Sequence, residues 1–231
     1  MQERDSEPHS TAMSAPSDRG EAQRQGEQGN NGTGIEPTTF IGQAWQGAWT
    51  LVRSDPVALL LGGSLAALLG SLTFGILAGP LAWGVFAMCW KRLREGQPMR
   101  IGDIFQQFER VLTSIGLVFL GGLLVLIGFA LLIVPGLYLS VAFMYSLPLA
   151  LDRRTGIWRA LGLSRRLVHR TGFWAHALLL LSLVVPALFI GGGSLGLLSL
   201  LWAAFSMAVV AVAYDGWLRP VVAQDAPLGQ G

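Results

Sequence analysis

VLTSIGLVFLGGLLVLIGFALLIVPGLYLSVAFMYSLPLAL, residues 111–151, runs forty-one residues without one Asp, Glu, Lys, Arg or His. A helix needs about 20 apolar residues, each rising about 1.5 Å, to cross roughly 30 Å of hydrocarbon. The stretch is too long for one crossing, and Pro135-Gly136 stands where a reversal is needed. Proline removes a backbone donor and glycine tolerates the dihedrals of a tight turn. The reading is a helical hairpin with its turn at Pro135 and Gly136. Two similar blocks flank it at 56–90 and 171–214.

Composition agrees. The chain of 231 residues is 52% hydrophobic and 13% charged, against about 25% charged in soluble domains. The blocks are apolar all round rather than alternating, which argues against a β-barrel. The fold class expected is all-α: a polytopic integral membrane protein of six transmembrane helices in three hairpins. A net charge of +2 gives no reason to expect nucleic-acid binding, and the single Cys89 excludes an internal disulfide. Residues 1–36 contain no apolar signal-peptide core and are rich in Gln, Glu, Gly and Ser, so they read as a disordered tail. Residues 37–215 form the membrane domain and 216–231 a short tail. Asn31-Gly32-Thr33 matches a glycosylation sequon, read as a chance match.

Each hairpin is preceded by an amphipathic segment. Ile41, Ala44, Trp45, Ala48, Trp49 and Val52 recur at helical spacing, with Gln43, Gln46, Thr50 and Arg53 opposite. The same pattern predicts a surface helix from Ile101, Ile104, Phe105, Phe108, Val111 and Leu112. A third, strongly basic one turns Ile157, Ala160, Leu161, Ser164, Leu167 and Val168 one way, and Arg159, Arg166 and Arg170 the other. The first hairpin turns at Phe74-Gly75 or at Gly79-Pro80, a choice the sequence leaves open. The last turns at Gly191-Gly192-Gly193. Small residues such as Gly62, Gly63, Ala66 and Gly70 mark close helix contacts.

The hairpin turns carry no charge. Segment 91–110 has five basic and three acidic residues, and segment 152–170 has six and one. By the positive-inside rule these segments and both termini are expected to be cytoplasmic. Trp45, Trp49, Trp90, Trp158, Trp174 and Trp217 gather at the same predicted interface.

Catalysis finds little support. There is no GxxxxGK[ST], GxSxG or HExxH, no acidic residue within a span, and no metal-ligand spacing among His9, His169, His176 and Cys89. No enzyme, cofactor or metal is expected. His176 is the one ionisable side chain inside an apolar block, read as hydrogen-bonded near the interface. Pro80, Pro135, Pro148 and Pro186 shape the helices. The strongest functional feature is a basic collar of Lys91, Arg92, Arg94 and Arg100 with Arg153, Arg154, Arg159, Arg165, Arg166 and Arg170. Near an anionic leaflet each contributes roughly 1 kcal/mol of attraction. The expected function is binding of anionic lipid or scaffolding of a membrane-protein partner through this face, and the glycine-rich span faces allow a homo-oligomer. A small transporter or channel along the Pro- and Gly-broken spans is the alternative.

Three stretches taken together, GPLAWGVFAMCWKRLREGQPMRIGDIFQQF (79–108), VPGLYLSVAF (134–143) and ALGLSRRLVHRTGFW (160–174), resemble bacterial inner-membrane proteins of the YciC type. They also resemble the membrane domain attached to some glycerophosphodiester phosphodiesterases. The resemblance rests on Pro80 and Gly84, Asp103-Ile104-Phe105 with Phe108, Pro135-Gly136, and Ala160 with Ser164, Leu167 and Gly172. It implies a polytopic membrane fold and carries over no catalytic residue, because the catalytic barrel of the phosphodiesterases is a separate domain.

Overall fold

The computed structural model describes residues 36–105, 111–191 and 196–224. All belong to one compact unit, Gly34–Gly231, and no strand occurs among them. Two neighbouring helices come first: α1 (Pro37–Ser54) and α2 (Pro56–Leu72). Each begins with a proline, whose missing N–H costs nothing in a first turn. They meet at Asp55 with a bend of 107°. After α2 the chain reverses at Phe74 and Gly75, both left-handed at φ 52° and 84°. The Gly75 amide closes the turn onto the Gly70 carbonyl at 2.8 Å. Phe74-Gly75 is therefore the first reversal, and Gly79-Pro80 falls inside α3 (Ala78–Glu95).

The central block breaks three residues before its proline. Helix α4 (Val111–Leu131) is followed by extended Leu132, at φ −165° and ψ 152°, and then by α5 (Ile133–Phe143) and α6 (Ser146–Arg153). Pro135 is the third residue of α5 rather than the turn. A first-turn proline forfeits no helical bond, so it starts a helix as readily as it ends one. Gly136 serves packing instead. A Cβ there would overlap the Phe129 ring, and a Cβ on Gly128 would come within 2.9 Å of Gly136 Cα.

The packing centre lies elsewhere, in α3. Its buried residues run almost without interruption from Gly79 to Trp90, whereas α4 exposes Leu112, Phe119, Leu126 and Leu131. The most hydrophobic stretch is the periphery, and α3, whose two glycines are both buried, is the centre. Gly63 of α2 meets Ala204 of α9 (Gly196–Ala213), and Gly79 and Gly84 lie against the backbone of Ser114 and Ile104. Without a hydrophobic force between helices in lipid, close backbone approach is what joins them.

The second predicted surface helix is replaced by a 3-10 turn, Ile101–Phe105; residues 106–110, including Phe108, lie outside the described residues. Asp103 lies beside Lys91, Ile104 beside Gly84 and, at the start of α4, Ser114 beside Gly79. Ile104 is fully buried and wedges between Gly62 and Met88. A helix there would hold its backbone away from α3; two glycines let an apolar turn sink in instead.

Helix α7 (Ile157–Thr171) buries Ala160, Leu161, Ser164, Leu167 and Val168, five of the six residues its sequence assigns to one face, and the sixth, Ile157, is half-buried. Helix α8 (Phe173–Gly191) and α9 follow; the expected turn at Gly191-Gly192-Gly193 begins where α8 ends, and its last two glycines lie outside the described residues. The expected C-terminal tail is helical to Gln224. A π-helical turn (Tyr214–Leu218) leads into α10 (Arg219–Gln224), with Tyr214, Leu218 and Val222 buried at four-residue spacing. The expected tail 1–36 lies outside the described residues save Glu36. Four stretches are long and apolar enough to cross a membrane, namely Val111–Leu131, Ile133–Arg153, Phe173–Ile190 and Gly196–Gln224, and the bent pair α1–α2 makes up to five.

Candidate functional site

The basic residues singled out from sequence divide into two groups. Those on α3 are held by aspartates. Arg94 Nε donates to Asp215 Oδ1 at 2.6 Å and Arg94 Nη1 to Asp152 Oδ1 at 3.0 Å, while its guanidinium lies 4.4 Å from the Trp90 ring centroid. Tyr214 Oη donates to the other Asp152 oxygen at 3.0 Å, and Trp90 Nε1 to the Ala211 carbonyl at 3.4 Å. Lys91 pairs with Asp103 at 3.2 Å and Arg92 with Asp55 at 3.7 Å. One planar fork thus ties α3 to the ends of α6 and α9. Arginine suits this place because its donors match two carboxylates at once.

Sequence reading missed this network because it weighed the aspartates only as charges offsetting the loops. Their positions were the available signal: Asp55 lies between two helices, Asp152 near the end of one, and Asp215 just past the end of α9. A carboxylate at each of these junctions is placed to receive the cations at the end of α3.

The second group is exposed. Arg159, Arg165, Arg166 and Arg170 lie on the outward side of α7, where Arg166 Nε also donates to the Gly162 carbonyl at 3.4 Å. Trp158 and Trp174 flank them, 70% and 75% exposed. Arg153 is half-buried at the end of α6, and Arg154 follows it in the left-handed conformation at φ 51°. Arg154 lines a recess of about 520 Å³ with Trp90, Lys91, Arg94, Asp103 and Asp152. Arg100 is exposed beyond α3.

His176 is fully buried. Thr171 Oγ1 donates to the Leu167 carbonyl at 2.8 Å, so it accepts from His176 Nε2–H, also at 2.8 Å. Nδ1 then accepts from Tyr145 Oη at 3.1 Å. The neutral imidazole has both nitrogens occupied and Phe40 edge-on at 4.9 Å, an arrangement that joins α8 to the segment before α6. His169 differs: it is exposed, and its Nε2 lies 2.8 Å from Tyr138 Oη. Among the described residues no three His, Cys, Asp or Glu side chains converge to hold a metal.

A second, largely apolar groove of about 500 Å³ opens among α3, α8, α9 and the α5–α6 segment, with Ser199 and Ser206 its only hydroxyl-bearing residues. No family model, curated protein or solved structure matches this chain.

Proposed function

We propose that the chain is a non-enzymatic integral protein of a bacterial inner membrane, of the YciC-like type, and that α7 binds anionic lipid headgroups. In this reading α2 and α3 cross the bilayer with the four longer stretches, giving six spans as three hairpins. α1 and α7 lie at the interface, and the charged ends face the cytoplasm.

One observation carries the lipid reading. Arg159, Arg166 and Arg170 are exposed on one face of α7, with Arg165 exposed on its flank and an exposed tryptophan before and after them in the chain. Topology needs basic residues in a loop but does not need them on one face. Interfacial tryptophans set the depth of a helix, and guanidinium groups recognise phosphate in two-point contacts. The apolar lining of the groove favours lipid over a polar transported substrate.

The test compares wild type with Arg159→Gln/Arg165→Gln/Arg166→Gln/Arg170→Gln in discs of mixed phosphatidylethanolamine and phosphatidylglycerol. Native mass spectrometry then counts retained lipids. Loss of most bound phosphatidylglycerol, with unchanged helicity, is expected. Equal retention in the two proteins would reduce the arginines to topology signals.

A further inference from the structure

The recess and the apolar groove stack on one another. On α3, Phe86 lines the groove and Trp90, one turn later, lines the recess. On α6, Leu147 lines the groove and Leu151 the recess. Two pairs at i and i+4, on two helices, place a charged chamber about 6 Å beyond an apolar one. Phe86 and Trp90 stack between them, 6.3 Å apart at 28°. The two cavities are similar in size, about 520 and 500 Å³.

The chambers differ in chemistry. The upper one has Lys91, Arg94 and Arg154 against Glu95, Asp103 and Asp152, three cations and three anions. Arg94 is committed to two aspartates and Lys91 to Asp103. Arg154 and Glu95 are exposed at its rim, of opposite sign. The lower chamber is walled by Phe86, Leu147, Leu183, Trp202, Ala203 and Val210.

From this stacking we infer a specific site for one zwitterionic phospholipid bearing a primary ammonium, its phosphate toward Arg154, its ammonium toward Glu95, and an acyl chain in the groove. The inner cations and carboxylates are paired with one another, so an anionic headgroup gains Arg154 but stands against Glu95, whereas a headgroup carrying both signs is complemented at each end. A free phosphate ester leaves the lower chamber empty, so the membrane lipid is the occupant. This inference rests on the membrane placement proposed above but not on the arginines of α7, which take the opposite class of lipid.

Two filling variants leave every charge in place: Ala87→Phe in the recess and Ala203→Phe in the groove. Glu95→Gln removes the ammonium partner. The proteins are purified in the same mixed-lipid discs, checked for an unchanged thermal transition, and read by native mass spectrometry. Wild type is expected to hold one phosphatidylethanolamine through delipidation. Each filling variant should lower that retention about tenfold, and Glu95→Gln about threefold. The α7 arginine variant should retain it while losing phosphatidylglycerol, which separates failure of this site from failure of the α7 reading. Retention unchanged by both fillings, phosphatidylglycerol held as well as phosphatidylethanolamine by the α7 arginine variant, or displacement by soluble O-phosphoethanolamine would each overturn the inference. Should a filling variant lose its thermal transition, Ala87→Leu and Ala203→Leu replace it, with the same expected losses.

Discussion

Arg94 shows how a residue's neighbours decide its role. Its guanidinium is about one quarter exposed and bridges Asp152 and Asp215. Breaking such a cluster by removing one partner leaves charges uncompensated, which costs on the order of 2–4 kcal/mol at this partial burial. Arg94→Gln should lose that much in a reversible detergent-unfolding titration. Arg94→Lys should recover only part, because one ammonium cannot satisfy two carboxylates in fork geometry. Full recovery by lysine would show that charge alone matters. The hydroxyl–imidazole contact of Tyr145 is smaller in scale. Interhelical hydrogen bonds in membranes contribute about 0.5–2 kcal/mol, so Tyr145→Phe should destabilise by that amount. Nothing in the sequence tied Tyr145 to His176, because the pair spans thirty-one positions and no local pattern encodes it.

At the scale of elements, spacing was readable and contact was not. The face of α7 follows from its three-and-four periodicity, since a half-wet helix writes its environment into its sequence. Helix α3 is enclosed, so its apolar and small residues carry no such record, and the sequence did not reveal it as the centre. The break at Leu132 was misplaced for a similar reason, because Pro-Gly marks helix starts as well as turns. The glycines separate these cases by experiment. Gly84→Ala would drive a methyl into the Ile104 backbone. Parting α3 from the 3-10 turn, and exposing the Ile104 wedge, should cost about 2 kcal/mol or more. Gly162 lies on the exposed side of α7 with nothing near its Cβ position. There the same substitution should stabilise by about 0.5–1 kcal/mol through helix propensity alone. Parallel thermal melts of the two variants check both signs.

The whole molecule poses a question of sidedness that three single cysteines answer. The Arg94–Asp152–Asp215 cluster holds the ends of α3, α6 and α9 at one level, which marks a common charged face. Helix α2 has 17 residues and α3 has 18, roughly 25–27 Å each, close to the 30 Å of a bilayer core. Crossing by both puts Phe74, 98% exposed at their turn, on the far side. Crossing by α4 and the α5–α6 segment puts Leu132, 69% exposed, there too. Arg165 stays on the near side with the rest of α7. In a Cys89→Ala background, Phe74→Cys and Leu132→Cys should react with a membrane-impermeant maleimide added to spheroplasts, and Arg165→Cys only after lysis. Leu132 is the sharpest of the three, because α4 starts beside Gly79, at the Phe74 end of α3, rather than beside Arg94. Labelling of Leu132→Cys only after lysis would make α4 and α5 a re-entrant pair. The same result at Phe74→Cys would lay α2 and α3 in the interface. The excess of arginine over carboxylate in residues 152–170 sets the expected answer, since cations near span ends are held on the cytoplasmic side.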